Sequence, residues 1–181
     1  MKLIRIRGIR MAGLAEAKNR PKIKIGLTMF DLIVEIAGLV AVLAMWILIF
    51  AFYFKLPEII PVHYDAAGAV NGLGKKSFIL ILAAIATIIF AGMTVLNWFP
   101  HRFSYMVKIT ETNAFTQYTL ACRMVRCLKL AIIFICNFVI IQTIRIAEGK
   151  ADSLPVWFIY VSIGLIFLIT IYFIIKSFIY K

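Results

Sequence analysis

Four stretches of the chain carry no charged side chain: Ile36 to Phe54 (19 positions), Ser77 to Pro100 (24), Leu130 to Ile144 (15) and Ser153 to Ile175 (23). Roughly 20 apolar residues in a helix cross the hydrocarbon of a bilayer, so the pattern predicts an all-α polytopic membrane helix bundle with four transmembrane helices. At about 1.5 Å per residue the third run reaches only ~22 Å, and Lys129 is expected to help it by snorkelling to the interface. A membrane barrel is excluded, because the runs do not alternate and are about twice the length of a tilted strand. Tyr53, Trp98, Trp157 and Tyr172 fall near run ends, where amphipathic rings favour the headgroup region.

Composition agrees: 64% of the residues are hydrophobic and 15% charged, against about half and a quarter in soluble domains. The net charge of +12 would suggest nucleic acid in a soluble chain, but its placement says otherwise. Lys2, Arg5, Arg7, Arg10, Lys18, Arg20, Lys22 and Lys24 precede the first run; Arg102, Lys108, Arg123, Arg126 and Lys129 lie between the second and third; Lys176 and Lys181 close the chain. Only Lys55, Lys75, Lys76, Arg145 and Lys150 fall on the other side. This 15 to 5 asymmetry predicts both termini in the cytoplasm, with attraction to anionic lipid as a secondary effect. No nucleic-acid motif accompanies the charge. The first 30 residues lack the apolar stretch of a secretory signal, so the first run is expected to act as an uncleaved anchor. Residues 1–30 read as a basic segment, 31–130 as one domain, and 131–181 as two further spans and a short tail.

Within the spans, small and polar residues mark packing faces. Ala37 and Ala41 on the first run, and Ala83, Thr87 and Ala91 on the second, suggest that these two helices meet as a hairpin. Asn137 and Gln142 on the third run are expected to point into the bundle, as structural hydrogen bonders or as part of a polar pathway. Asp31 and Glu35 share a helix face at the start of the first run, facing the positive end of its dipole; Glu35 can reach the interface or pair with Arg123 or Arg126, or the two acids can belong to an ion path. Ala114 to Leu128 has the spacing of an amphipathic helix, with Thr110 as N-cap and Glu111 in its first turn. Arg123, Arg126 and Lys129 on it are candidates for contact with lipid or a cytoplasmic partner. Cys122, Cys127 and Cys136 lie on that side or within the third run and are expected to be reduced thiols.

The most patterned connector is Leu56 to Lys76, LPEIIPVHYDAAGAVNGLGKK. Its prolines favour extended backbone and its glycines permit tight turns. Leu56, Pro57, Ile60, Pro61, His63, Tyr64, Gly68, Gly74 and Lys76 resemble the signature of a bacterial membrane domain of unknown function found in SdpI-type immunity proteins. A second block, Tyr105, Val107, Lys108, Ile109, Thr110, Glu111, Asn113, Gln117 and Tyr118, is similar to that domain's cytoplasmic stretch, with Ser104 and Met106 in place of its usual Asn and Pro. The resemblance implies a multi-pass protein of the bacterial cytoplasmic (inner) membrane. It also implies protection against a secreted toxin or peptide outside and contact with a cytoplasmic regulator inside. The N-x-W-x-G-x-R stretch of full SdpI-like chains has no counterpart here.

Histidine titrates near neutrality and ligates metals, so His63 invites both roles, with Tyr64, Asp65 and Lys76 as neighbouring ligand-binding candidates. The second histidine, His101, falls on the opposite side in this topology, and His63 with Asp65 alone makes a poor metal site. No metalloprotease, nucleophile-elbow or phosphate-loop motif is present. The expectation is therefore a non-enzymatic protein without metal or cofactor that senses or intercepts an external factor. A small transporter or channel subunit is the alternative.

Overall fold

A computed structural model describes residues 20–181; Lys2, Arg5, Arg7, Arg10 and Lys18 lie outside the described residues. Four helices, α1 (Met29–Phe52), α2 (Phe78–Leu96), α3 (Ala114–Ala147) and α4 (Val156–Ile179), are each long and apolar enough to span a membrane. The chain is an integral, multi-pass membrane protein. A two-stranded hairpin, β1 (Ile59–Tyr64) and β2 (Val70–Lys75), joins α1 to α2, and a 3-10 turn at Pro100–Arg102 lies between α2 and α3.

Local chemistry sets the helix ends. Thr28 and Asp31 form a reciprocal capping box that starts α1, so this helix begins earlier than its charge-free run and takes Asp31 and Glu35 inside. Thr110 and Asn113 exchange backbone and side-chain hydrogen bonds of 2.9 and 3.3 Å. That turn delays α3 to Ala114, with Asn113 rather than Thr110 at the N-cap. α3 stops in a Schellman motif: Gly149 takes φ +70°, its N–H donates to Ile146, and the Lys150 N–H donates to Arg145.

α3 is the axis of the bundle. Its 34 residues span about 51 Å, more than the hydrocarbon layer. The short third run is thus part of a longer helix that already includes the amphipathic segment. α1, α2 and α4 all pack on α3. α1 and α2 meet as expected, but α1 meets α3 far more extensively. Ala41 and Ala83 do enter the common core with Met45, Ile49, Ala86, Ile133 and Ile140, and Trp46 Nε1 donates to Thr87 Oγ1 at 3.0 Å. Ala91, however, is exposed. Polar groups on α3 draw α1 to it: Asn137 Nδ2 donates to the Ala41 carbonyl (3.1 Å) and to Ile133 (2.9 Å) on its own helix. α4 is held by ring stacking, with the Phe138 and Phe158 centroids 3.9 Å apart. Most of its remaining surface is outward-facing apolar side chains.

Tyr118 Oη donates to the Pro21 carbonyl (3.0 Å), and Gln117 Nε2 donates to the Ser177 and Tyr180 carbonyls (2.9 and 3.0 Å). The segment before α1 and the end of α4 therefore meet the start of α3 on one face, called here the basic face. The β-hairpin covers the opposite face.

Candidate functional site

Polar side chains converge at two places, one near each end of α3. Toward the basic face, Asp31 and Glu35 of α1 meet Arg123, Arg126 and Lys129 of α3. The i, i+4 spacing of the acids and the i, i+3 spacing of the bases align two helical faces. Asp31 Oδ1 accepts from Arg123 Nε (3.2 Å) and Arg126 Nη1 (3.3 Å). Its Oδ2 accepts from the Thr28 N–H and hydroxyl. Glu35 accepts from Arg126 Nε (3.1 Å) and from Lys129. Lys129 Nζ also donates to Thr94 Oγ1 of α2 at 2.7 Å and lies 4.4 Å from the Phe90 ring centroid. One cluster thus ties α1, α2 and α3 together.

Burial changes what these residues can do. The side chains of Asp31 and Lys129 are 0% exposed and that of Arg126 is 6% exposed. Lys129 does not snorkel, and neither it nor Arg126 presents itself to lipid or a partner. The reason is electrostatic, since an ion in a poorly solvated site needs a counter-ion and hydrogen bonds, and α1 supplies both at this level. Arg123, at 30% side-chain exposure, is the one member of the three that also reaches the surface.

At the other end, the hairpin is held by neutral groups and backbone. Tyr64 Oη and Thr143 Oγ1 of α3 share a hydrogen bond of 2.7 Å. Burial pushes the Tyr64 phenol above its usual range, and the Thr143 contact opposes this in part. Asp65 Oδ1 accepts the N–H groups of Ala67 and Ala69, both at 2.9 Å, closing the turn. Gly68 in that turn has φ +79°, and its carbonyl accepts the Leu154 N–H at 2.8 Å. A Cβ at position 68 would sit 1.9 Å from the Leu154 oxygen, so only glycine lets the turn dock on the α3–α4 loop. The strand pairing is irregular around His63, and its ring Nδ1–H donates to the side-chain Oδ1 of Asn71. Lys76 pairs with Glu58 at 2.9 Å. His63, Tyr64, Asp65 and Lys76 are therefore neighbours in sequence with four different partners, and His63 and Asp65 do not form a pair. His101 lies on the basic face, away from His63. Among the described residues, no three His, Cys, Asp or Glu groups are placed to share a metal.

Below the hairpin, β1, α2 and α3 enclose a cleft of about 390 Å³. Its lining includes the polar side chains of His63, Tyr64 and Thr143 among apolar ones such as Ile79, Leu82 and Val139. Gln142 is buried next to Thr143 on α3 without a side-chain hydrogen bond among the described residues, whereas Asn137 Nδ2 is engaged with two helix carbonyls. Several contributors escaped the sequence reading. Thr143 was overshadowed by Gln142, Asn71 lay unremarked inside the patterned loop, and Thr94 is a single hydroxyl in an apolar run. The T-x-x-D spacing of Thr28 and Asp31 was a readable capping signal.

Comparison with known proteins adds one finding: residues 40–87 match a family described as a domain of unknown function, DUF1648. The match spans the second half of α1, the whole hairpin and the first half of α2. No curated protein matches the chain, and no solved structure does.

Proposed function

We propose that the chain is a non-enzymatic protein of the bacterial cytoplasmic membrane that senses or intercepts an external factor at its hairpin and reports to the cytoplasm. The observation that carries this reading is the continuity of α3. One 34-residue helix holds the hairpin through Thr143 at one end and contributes Arg126 and Lys129 to the charge cluster toward the other. A displacement of the hairpin by a ligand would bear directly on the packing of that cluster. The resemblance of the hairpin residues to SdpI-type immunity domains implies a secreted toxin or peptide as the external factor and a regulator as the internal partner.

Orientation rests on the distribution of Lys and Arg, with the basic face assigned to the cytoplasm. A periplasmic reporter fused after Lys76 should be active and one fused after Lys108 silent. The functional test is complementation. A strain lacking the chain should become more sensitive to an external membrane-active polypeptide, and the wild type should restore tolerance. A His63→Ala, Tyr64→Phe double variant inserted at wild-type levels should not. Full rescue by that variant overturns the reading. The alternative, a small transporter or channel subunit, requires a polar path. Asp31 and Glu35 are already compensated by three cations and Asn137 by carbonyls, which favours the receptor reading. Proteoliposomes that move an ion or solute would reverse that preference.

A further inference from the structure

A second groove lies between α1 and α4, on the side of α3 that carries Cys127. It has a volume of about 530 Å³ and an entirely apolar lining that includes Phe30, Cys127, Leu168, Tyr172 and Phe173. It arises because α1 and α4 both pack on α3 without packing extensively on each other. Its lining is apolar, but two cations stand next to it. Arg123 lies four residues before Cys127 on α3, and Lys176 lies four after Tyr172 on α4, so each stands one helical turn closer to the basic face. The Arg123 guanidinium sits 5.8 Å from the Phe30 ring centroid, and Lys176 Nζ sits 5.9 Å from that of Tyr172. Both cations are therefore held against lining residues of the groove.

These cations have capacity for an anion. The buried cluster sets three cations against two carboxylates, leaving one positive charge in excess, and Arg123 is its outermost member. Arg123 uses Nε on Asp31 and Nη2 on Thr28, and its Nη1 has no partner among the described residues. Lys176 joins no ion pair among them. Basic sites between membrane helices at an interface suit anionic headgroups, and the apolar lining below suits acyl chains.

We propose that this groove is a binding site for one anionic phospholipid of the leaflet on the basic face, with its phosphate between Arg123 and Lys176 and an acyl chain along Cys127 and Leu168. The site is independent of the hairpin and of the receptor reading.

The test uses the purified full chain in neutral detergent, offered phosphatidylglycerol and phosphatidylcholine with identical chains and read by native mass spectrometry. One phosphatidylglycerol per chain should be retained, with a preference of about tenfold over phosphatidylcholine. Lys176→Gln, which disturbs no ion pair among the described residues, should cut that preference about fivefold. Leu168→Trp, which fills the groove and keeps both charges, should lower retention of both lipids. Phosphatidylglycerol should also slow alkylation of Cys127 by N-ethylmaleimide, with the buried Cys122 as internal reference. Equal retention of the two lipids, or an unchanged preference in Lys176→Gln, overturns the proposal. So does competition by soluble glycerol phosphate as effective as by the lipid, which would mark an anion site without the groove. A dimer in which Cys127 is protected without lipid would instead assign the groove to a second copy and equally overturn it.

Discussion

The two ends of α3 are tied into the bundle by opposite chemistries. Toward the basic face, five charged side chains from two helices and a hydroxyl from a third are packed together, with Asp31, Arg126 and Lys129 buried and Glu35 and Arg123 partly exposed. Toward the hairpin face, a phenol, a threonine and a backbone carbonyl supply neutral hydrogen bonds. Ion pairs in a poorly solvated site are strong only as a complete set, because removing one member leaves an uncompensated charge. Neutral hydrogen bonds contribute about 1 kcal/mol each and can be lost singly. The basic end should therefore behave as an all-or-none clamp and the hairpin end as a graded contact, which suits the hairpin to the element that moves.

The sharpest way to break this comparison is at Lys129. Lys129→Met leaves Glu35 with Arg126 alone and should destabilise the bundle by about 3 kcal/mol, read by reversible unfolding in mixed detergent micelles. Adding Glu35→Met should recover part of the loss, since the carboxylate that lost its ammonium is then gone as well. Wild-type stability of the single variant would remove the clamp from the account.

Gly68→Ala acts at the other end and should cost about 2 kcal/mol, because the left-handed backbone and the Leu154 carbonyl both exclude a Cβ. Its signature is local: faster amide exchange at Leu154 with unchanged protection around Arg126. Loss of protection at both ends would mean that they do not unfold separately. A smaller effect is expected from Tyr64→Phe and from Thr143→Val, each about 1 kcal/mol. The two should be non-additive, as they delete the same hydrogen bond. Additive losses would place their contributions in separate contacts.

The smallest effect is on pH. The Tyr64 phenol is raised by burial, so the folded hairpin keeps its proton where a freed tyrosine would lose it. Docking should be insensitive to Tyr64 up to a pH of about 10, the ordinary tyrosine value, and should weaken as pH rises beyond it. Hairpin amide exchange compared with Tyr64→Phe checks the sign: the variant should lack this alkaline weakening.

Much of the architecture was readable because membrane insertion is a one-dimensional constraint. The charge-free runs located all four helices, and the prolines and glycines of residues 56–76 announced an extended, turning connector. The site was readable only in its components. Asp31, Glu35, Arg123 and Arg126 stood out as ionisable residues near a membrane, and the pairing of Glu35 with an arginine was an expected option, whereas the pairing of Asp31 was not. Lys129 was read as interfacial because its neighbours in sequence gave no hint that Glu35 and Thr94 would enclose its ammonium. The contact between α1 and α2 expected from small residues is real but is not the dominant one, because small side chains permit close approach without specifying which helix approaches most.

Hydropathy and charge spacing along the chain determined that it crosses a membrane four times and which residues would have to find polar partners. Periodicity also placed those residues on common helix faces, since the 3.6-residue turn is a local property of the backbone. Only the tertiary structure decided that α3 would be the common partner of the other three helices. It likewise decided that the hairpin would dock through Gly68 and Tyr64, and that a groove would open beside Cys127 with Arg123 and Lys176 next to its lining. These outcomes depend on contacts between residues tens of positions apart, where the need to satisfy each buried polar group chooses among packings that hydrophobicity leaves nearly equal.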